Sequence, residues 1–89
     1  MRGMMAVFEV YLAPGADDSE LLSEETRRSA QAQIMTLEDA KLVGFAGLPE
    51  PPPGKDVRLI AVAKRDAPWI HRALETSEVV GGFRVHEVD

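Results

Sequence analysis

Four prolines stand within seven residues, in the segment LPEPPPG at positions 48–54, and they limit what the middle of the chain can form. Proline has no backbone N–H to donate, and a proline run favours extended backbone, so a strand that enters this segment must end there. Apolar runs stand on both sides, at 41–47 and 56–64. The segment therefore predicts a stiff hairpin connection between two strands. A proline-rich ligand for a partner protein is the alternative, which the lack of a preceding basic residue disfavours.

The other elements follow from hydrophobic periodicity. Alternation along residues 4–12 predicts a first strand with one wholly apolar face, and helical spacing predicts a helix over 18–37. A second helix follows Asp66, with Pro68 near its first turn, and FRVHEV at 83–88 predicts the last strand. The order strand, helix, strand, strand, helix, strand predicts an α+β, ferredoxin-like βαββαβ fold. Its four-stranded antiparallel sheet would carry both helices on one face.

Length and composition exclude several classes of function. The 89 residues predict one domain, residues 1–89, and the net charge of −5 disfavours general nucleic-acid binding. There is no cysteine, the two histidines lack metal-ligand spacing, and no glycine-rich phosphate loop occurs. We therefore expect no metal and no cofactor. The N-terminal apolar run contains Glu9 and is too short for a membrane span, which favours a strand of a cytoplasmic protein over a signal peptide.

Strand alternation predicts two different sheet faces. One is wholly apolar and is expected to lie under the helices: Ala6, Phe8, Val10, Leu59, Ala61, Phe83 and Val85. The other mixes apolar and charged side chains: Met5, Val7, Glu9, Tyr11, Val43, Phe45, Arg58, Ile60, Val62, Arg84, His86 and Val88. This second face is too apolar to be left in water. It predicts the interface of a homodimer, formed by Val7, Val43, Phe45, Ile60 and Val62.

Five polar residues of the second face form the candidate ligand-binding site. In the usual strand order the first strand lies between the third and fourth, which places Glu9 and Tyr11 between Arg58 on one side and Arg84 with His86 on the other. The group could bind an anionic or enolic small molecule, and Glu9 or His86 could act as a general base if its pKa moved toward neutrality. The alternative is a structural ion-pair network across the strands.

Two aromatic residues of the predicted second helix are given structural roles. His71 stands between Ile70 and Arg72, and we expect it on the exposed surface of the helix. Trp69 is expected to pack over the sheet edge, because a tryptophan side chain buries a large area.

The second half of the chain resembles the YCII-related proteins, a branch of the dimeric α+β barrel superfamily. The resemblance covers about 37–88 and lies in LEDAKLVGFAGLPE at 37–50, VRLIAVAKRD at 57–66 and SEVVGGFRVHEV at 77–88. It implies a homodimer with a cleft between helices and sheet. It also implies cofactor-free chemistry, such as proton transfer or oxygenation of a small enolic or aromatic compound.

The residues that carry such chemistry in YCII-like proteins are absent here. Those proteins have a His in the first helix and an Asp in a DP turn, whereas EETRRSAQAQIMTLEDA at 24–40 has no His and Ser77 and Glu78 stand near the turn position. This favours a non-catalytic small-molecule-binding or accessory module, with no catalytic residue assigned. A cofactor-free enzyme and a regulatory protein-interaction domain are the alternatives.

Overall fold

The strand order of the sheet is that of a ferredoxin-like fold. The computed structural model describes residues 5–42 and 50–88. The elements are β1 (Met5–Leu12), α1 (Glu24–Ala30), β2 (Gln33–Met35), α2 (Leu37–Leu42), β3 (Val57–Ala63), α3 (Ala67–Glu75) and β4 (Val80–Val88). All pairings are antiparallel and the order is β2-β3-β1-β4. The α+β fold class and the central position of β1 are thereby confirmed. No helix in the described ranges is long and apolar enough to cross a bilayer.

The first helix is much shorter than the predicted 18–37. Its N-cap is Ser23, whose hydroxyl oxygen accepts a hydrogen bond from the Thr26 backbone N–H at 3.1 Å. It ends at Ala30 because Gln31 adopts a left-handed conformation with φ 51°. The chain then forms β2, in which Ile34 lies opposite Ile60 of β3. The prediction was wrong after Ala30, because a strand of three residues is too short for its periodicity to be distinguished from that of a helix.

The connection from β2 to β3 contains a helix where the sequence predicted a strand. Thr36 and Asp39 begin α2 with reciprocal side-chain to backbone hydrogen bonds of 3.1 and 3.5 Å. Lys41 belongs to this helix, so the strand predicted at 41–47 is wrong at its start. Its remainder, including the predicted interface residues Val43 and Phe45, lies outside the described residues. The second strand of the sheet is β2 instead.

The main core lies between the sheet and the helices α1 and α3, which share one face as predicted. It contains Ala6, Phe8, Val10, Leu12, Leu21, Leu22, Ala30, Ala32, Ile60, Val62, Ile70 and Leu74. The faces predicted for β1 are correct, but those predicted for β3 are reversed. Phe8 lies opposite Ile60, which puts Ile60 and Val62 under the helices at 0% and 1% exposure. These two side chains are core residues, and the facing from which we predicted their interface role is wrong.

The second face of the sheet is covered in part by α2. A separate core cluster there joins Val7, Val57, Leu59 and Ala61 to Ala40 of α2. Leu59 and Ala61 had been expected on the helix face and belong here instead. Much of the apolar surface that predicted a dimer is therefore buried within the chain itself.

Candidate functional site

The register of two neighbouring strands, β1 and β4, brings four of the five predicted site residues together on the second face. Glu9 of β1 lies directly opposite Arg84 of β4, and Val7 lies opposite His86. Tyr11 is two positions beyond Glu9, on the same side of the strand. We call Glu9, Tyr11, Arg84 and His86 the Glu9 cluster.

The Glu9 carboxylate is the centre of this cluster, and donors occupy both of its oxygens. Arg84 Nη2 donates to Oε1 at 3.0 Å and to Oε2 at 2.8 Å, and Arg84 Nε lies 3.3 Å from Oε2. The Tyr11 hydroxyl also donates to Oε2, and His86 Nε2 lies 2.9 Å from Oε1. Glu9 is only 2% exposed. A buried carboxylate is tolerated when such partners replace the lost water, so the cluster explains how a charge can sit inside this sheet.

The cluster keeps the carboxyl of Glu9 ionised. Burial by itself raises the pKa of Glu9, but hydrogen bonds from Tyr11, His86 and Arg84, with the charge of Arg84, outweigh it and leave that pKa below its ordinary value. Burial, followed by the hydrogen bond to Glu9 and the charge of Glu9, raises the pKa of Tyr11. A general base is most effective when its pKa lies near the working pH. The pKa of Glu9 is instead shifted away from neutrality, to below its ordinary value.

Arg58, the fifth predicted residue, lies on the other face. It stands opposite Val10, not opposite Glu9. Its Nε donates to Asp18 at 2.8 Å, and its Nη1 donates to Asp56 at 2.7 Å. The prediction that Arg58 flanks Glu9 is wrong for the same reason as that for Ile60: β3 presents the opposite set of side chains to each face. Arg58 ties β3 to the turn before α1.

A second group of polar residues, which the sequence did not predict, lies on the helix face beside β4. The His71 ring packs edge-on against Phe83, with ring centroids 4.9 Å apart, and lines a groove between α3 and β4. Its side chain is 45% exposed, so it lies on the helix surface as expected and in addition lines this groove. The sequence contained an indication of this position: His71 follows Ala67 by four residues, so both lie on the same side of the helix. Trp69 is 39% exposed, and its indole N–H donates to Asp66 at 3.2 Å.

Neither region is organised as a metal site. Within residues 5–42 and 50–88, no three His, Cys, Asp or Glu side chains are grouped so as to hold a metal ion.

Comparison with known proteins adds no family to this geometry. No protein-family model matches the chain, and no curated protein or solved structure matches it either. The strand order alone therefore places the chain, in the α+β class with a ferredoxin-like sheet.

Proposed function

We propose that this chain is a non-catalytic accessory module, in which the Glu9 cluster is a fixed element of structure. The observation that carries the proposal is the state of the Glu9 carboxylate: it is 2% exposed and both of its oxygens accept hydrogen bonds. A base that removes a proton from a substrate needs an oxygen that the substrate can reach. Glu9 offers none without release of Arg84 or His86.

The pairing of His86 with Glu9 fits the same structural role. Its Nε2 faces the Glu9 carboxylate at 2.9 Å, and its side chain is 16% exposed. Such a pairing satisfies the imidazole within the sheet and gives it a structural role. This chain resembles YCII-like proteins but lacks the His and Asp that they carry, and this absence supports the same conclusion.

The test is a pH titration of the side-chain carboxyl carbons by NMR. We expect the Glu9 carboxyl to titrate below the ordinary glutamate value of about 4.3, because its hydrogen bonds favour the charged form. The Glu9→Gln variant identifies the signal by its disappearance. A Glu9 midpoint near neutrality would contradict the proposal and support the cofactor-free enzyme.

We further propose that the module forms a homodimer through its second face, as the resemblance to dimeric α+β barrels implies. The support is narrower than the sequence suggested, because α2 already covers part of that face. What supports it now is Leu42 at the end of α2, which is 85% exposed, and Met5 at the start of β1, which is 37% exposed.

Sedimentation velocity over a wide concentration range tests the dimer. We expect the double variant Met5→Lys, Leu42→Lys to sediment as a monomer at concentrations where the wild type is dimeric. Val85→Lys is the matched control, since it places the same charge on an exposed apolar residue of the helix face. A wild type that stays monomeric throughout, or a control as disruptive as the double variant, would overturn the second-face dimer.

A further inference from the structure

A groove of about 510 Å³ lies on the helix face, between α3 and the edge strand β4. It exists because the helices do not cover the whole sheet. Phe8 and Val85 stand directly opposite each other on neighbouring strands. Phe8 is fully buried, whereas Val85 is 43% exposed. The apolar cover therefore ends between β1 and β4 and leaves Val85 open as the apolar floor of the groove.

One wall of the groove is aromatic in character. The His71 ring stands edge-on to Phe83 at 4.9 Å between centroids and lies 6.4 Å from the Phe8 ring. These rings hold one another, so the wall is formed before anything binds. Flat apolar groups pack well against such edge and face arrangements.

The rim carries charges of both signs, and most of them are already paired. Lys64 Nζ lies 3.3 Å from Glu87, and His71 Nδ1 lies 3.4 Å from Glu75. Arg72 lines the groove and forms no ion pair with any residue of 5–42 or 50–88. With His71 neutral, the two cations of the rim, Lys64 and Arg72, are balanced by Glu75 and Glu87, and Arg72 is the cation left to pair with the acidic group of a ligand.

We propose that this groove binds a small amphipathic anion, a molecule with a flat apolar body and one acidic group. The body lies on Val85 against the His71 ring, and the acidic group pairs with Arg72. The groove volume falls within the range of about 300–1,000 Å³ that is typical of small-molecule sites. This site lies on the opposite sheet face from the Glu9 cluster, so it goes beyond the proposed function and does not depend on the dimer.

Two fluorescent probes with related ring systems separate the two parts of the proposal. Anilinonaphthalene sulfonate has an apolar body and one negative charge, and N-phenylnaphthylamine lacks the charge. We expect both to bind the folded protein saturably, at one molecule per chain. Arg72→Gln should weaken the sulfonate about fivefold, as expected for a partly exposed ion pair, and leave the neutral probe within about twofold. Arg28→Gln, on the far more exposed helix α1, is the matched control and should change neither.

A second variant tests the floor of the groove. Val85→Trp fills the groove beside His71 and should abolish binding of both probes while the circular dichroism spectrum of the fold is kept. Amide shifts in NMR should place the bound sulfonate beside His71 and Val85. The proposal is overturned if neither probe saturates, if Arg72→Gln and Arg28→Gln act alike, or if the shifts map to the second face.

Discussion

Phe8 and Glu9 are neighbours on β1 and are equally buried, yet they are held in place by different physics. Phe8 is 0% exposed, in a core that α1 and α3 cover, and Glu9 is 2% exposed on the other face. Burial of Phe8 is favourable by itself, because it removes apolar surface from water. Burial of Glu9 is unfavourable until Tyr11, Arg84 and His86 compensate for the lost hydration. Burial on the helix face therefore stabilises the fold by itself. Burial of Glu9 on the second face is tolerated only while its hydrogen-bonding partners are all in place.

The largest expected loss in the free energy of unfolding comes from removing a buried side chain of the helix face. Phe8→Ala removes a fully buried ring and should lower the free energy of unfolding by about 3–5 kcal/mol, measured by urea denaturation. In a domain this small, that is a large share of the total. Val85→Ala changes the residue directly opposite, which is partly exposed, and should cost about 0.5 kcal/mol. Similar losses in the two variants would show that the core does not end between β1 and β4.

A smaller effect is expected when the second face loses its charge. Glu9→Gln replaces one acceptor oxygen with an amide NH₂, which cannot accept from Arg84 or His86. We expect a loss of about 1–3 kcal/mol in the free energy of unfolding, because the bonds removed are to a charged group. Glu24→Gln is the matched control: it removes an exposed ion pair with Arg28 and should cost less than about 0.5 kcal/mol. Equal losses would mean that the Glu9 cluster contributes no more than a surface pair.

The two faces should also differ in their response to pH. Folding lowers the pKa of Glu9, so the stability that its charge contributes is present above the unfolded value of about 4.3 and is lost as pH falls through the folded value. The advantage of wild type over Glu9→Gln should therefore shrink between neutral pH and about pH 3.

At alkaline pH, stability is lost as the pH rises, not as it falls. Folding raises the pKa of Tyr11, so its contribution is present below about pH 10 and is lost as pH rises through the folded value. The measurement is the urea midpoint of unfolding for wild type and for Glu9→Gln, taken from acid to alkaline pH. An advantage that stays constant down to about pH 3 would contradict the role of the Glu9 charge.

The smallest expected effect removes a single donor. Tyr11→Phe keeps the ring and deletes the hydroxyl that donates to Glu9, and we expect a loss of about 1 kcal/mol. The same variant should raise the pKa of the Glu9 carboxyl, because one of the bonds that favour its charged form is gone. NMR titration of that carboxyl provides the check. An unchanged titration would show that Arg84 and His86 suffice.

The sequence by itself determined the class of fold, the two faces of β1 and most of the Glu9 cluster. Glu9 and Tyr11 are the polar residues of β1 and stand two positions apart, so a period of two places them on the same side of the strand. The last strand alternates in the same way, which placed Arg84 and His86 beside them. Pro68 in the first turn indicated where α3 begins, although Asp66 at its N-cap makes no side-chain cap hydrogen bond.

Only the tertiary structure decided the facing of β3, the position of β2 and the cover over the second face. Residues 59–63 are apolar without interruption, so both alternating phases of β3 look alike, and pairing with β1 selects the one that turns Arg58 away from Glu9. The left-handed Gln31 ends α1 early and lets three residues reach the sheet edge as β2. Helix α2 then packs Ala40 against the second face. These choices depend on contacts between distant segments, and local periodicity carries no information about them.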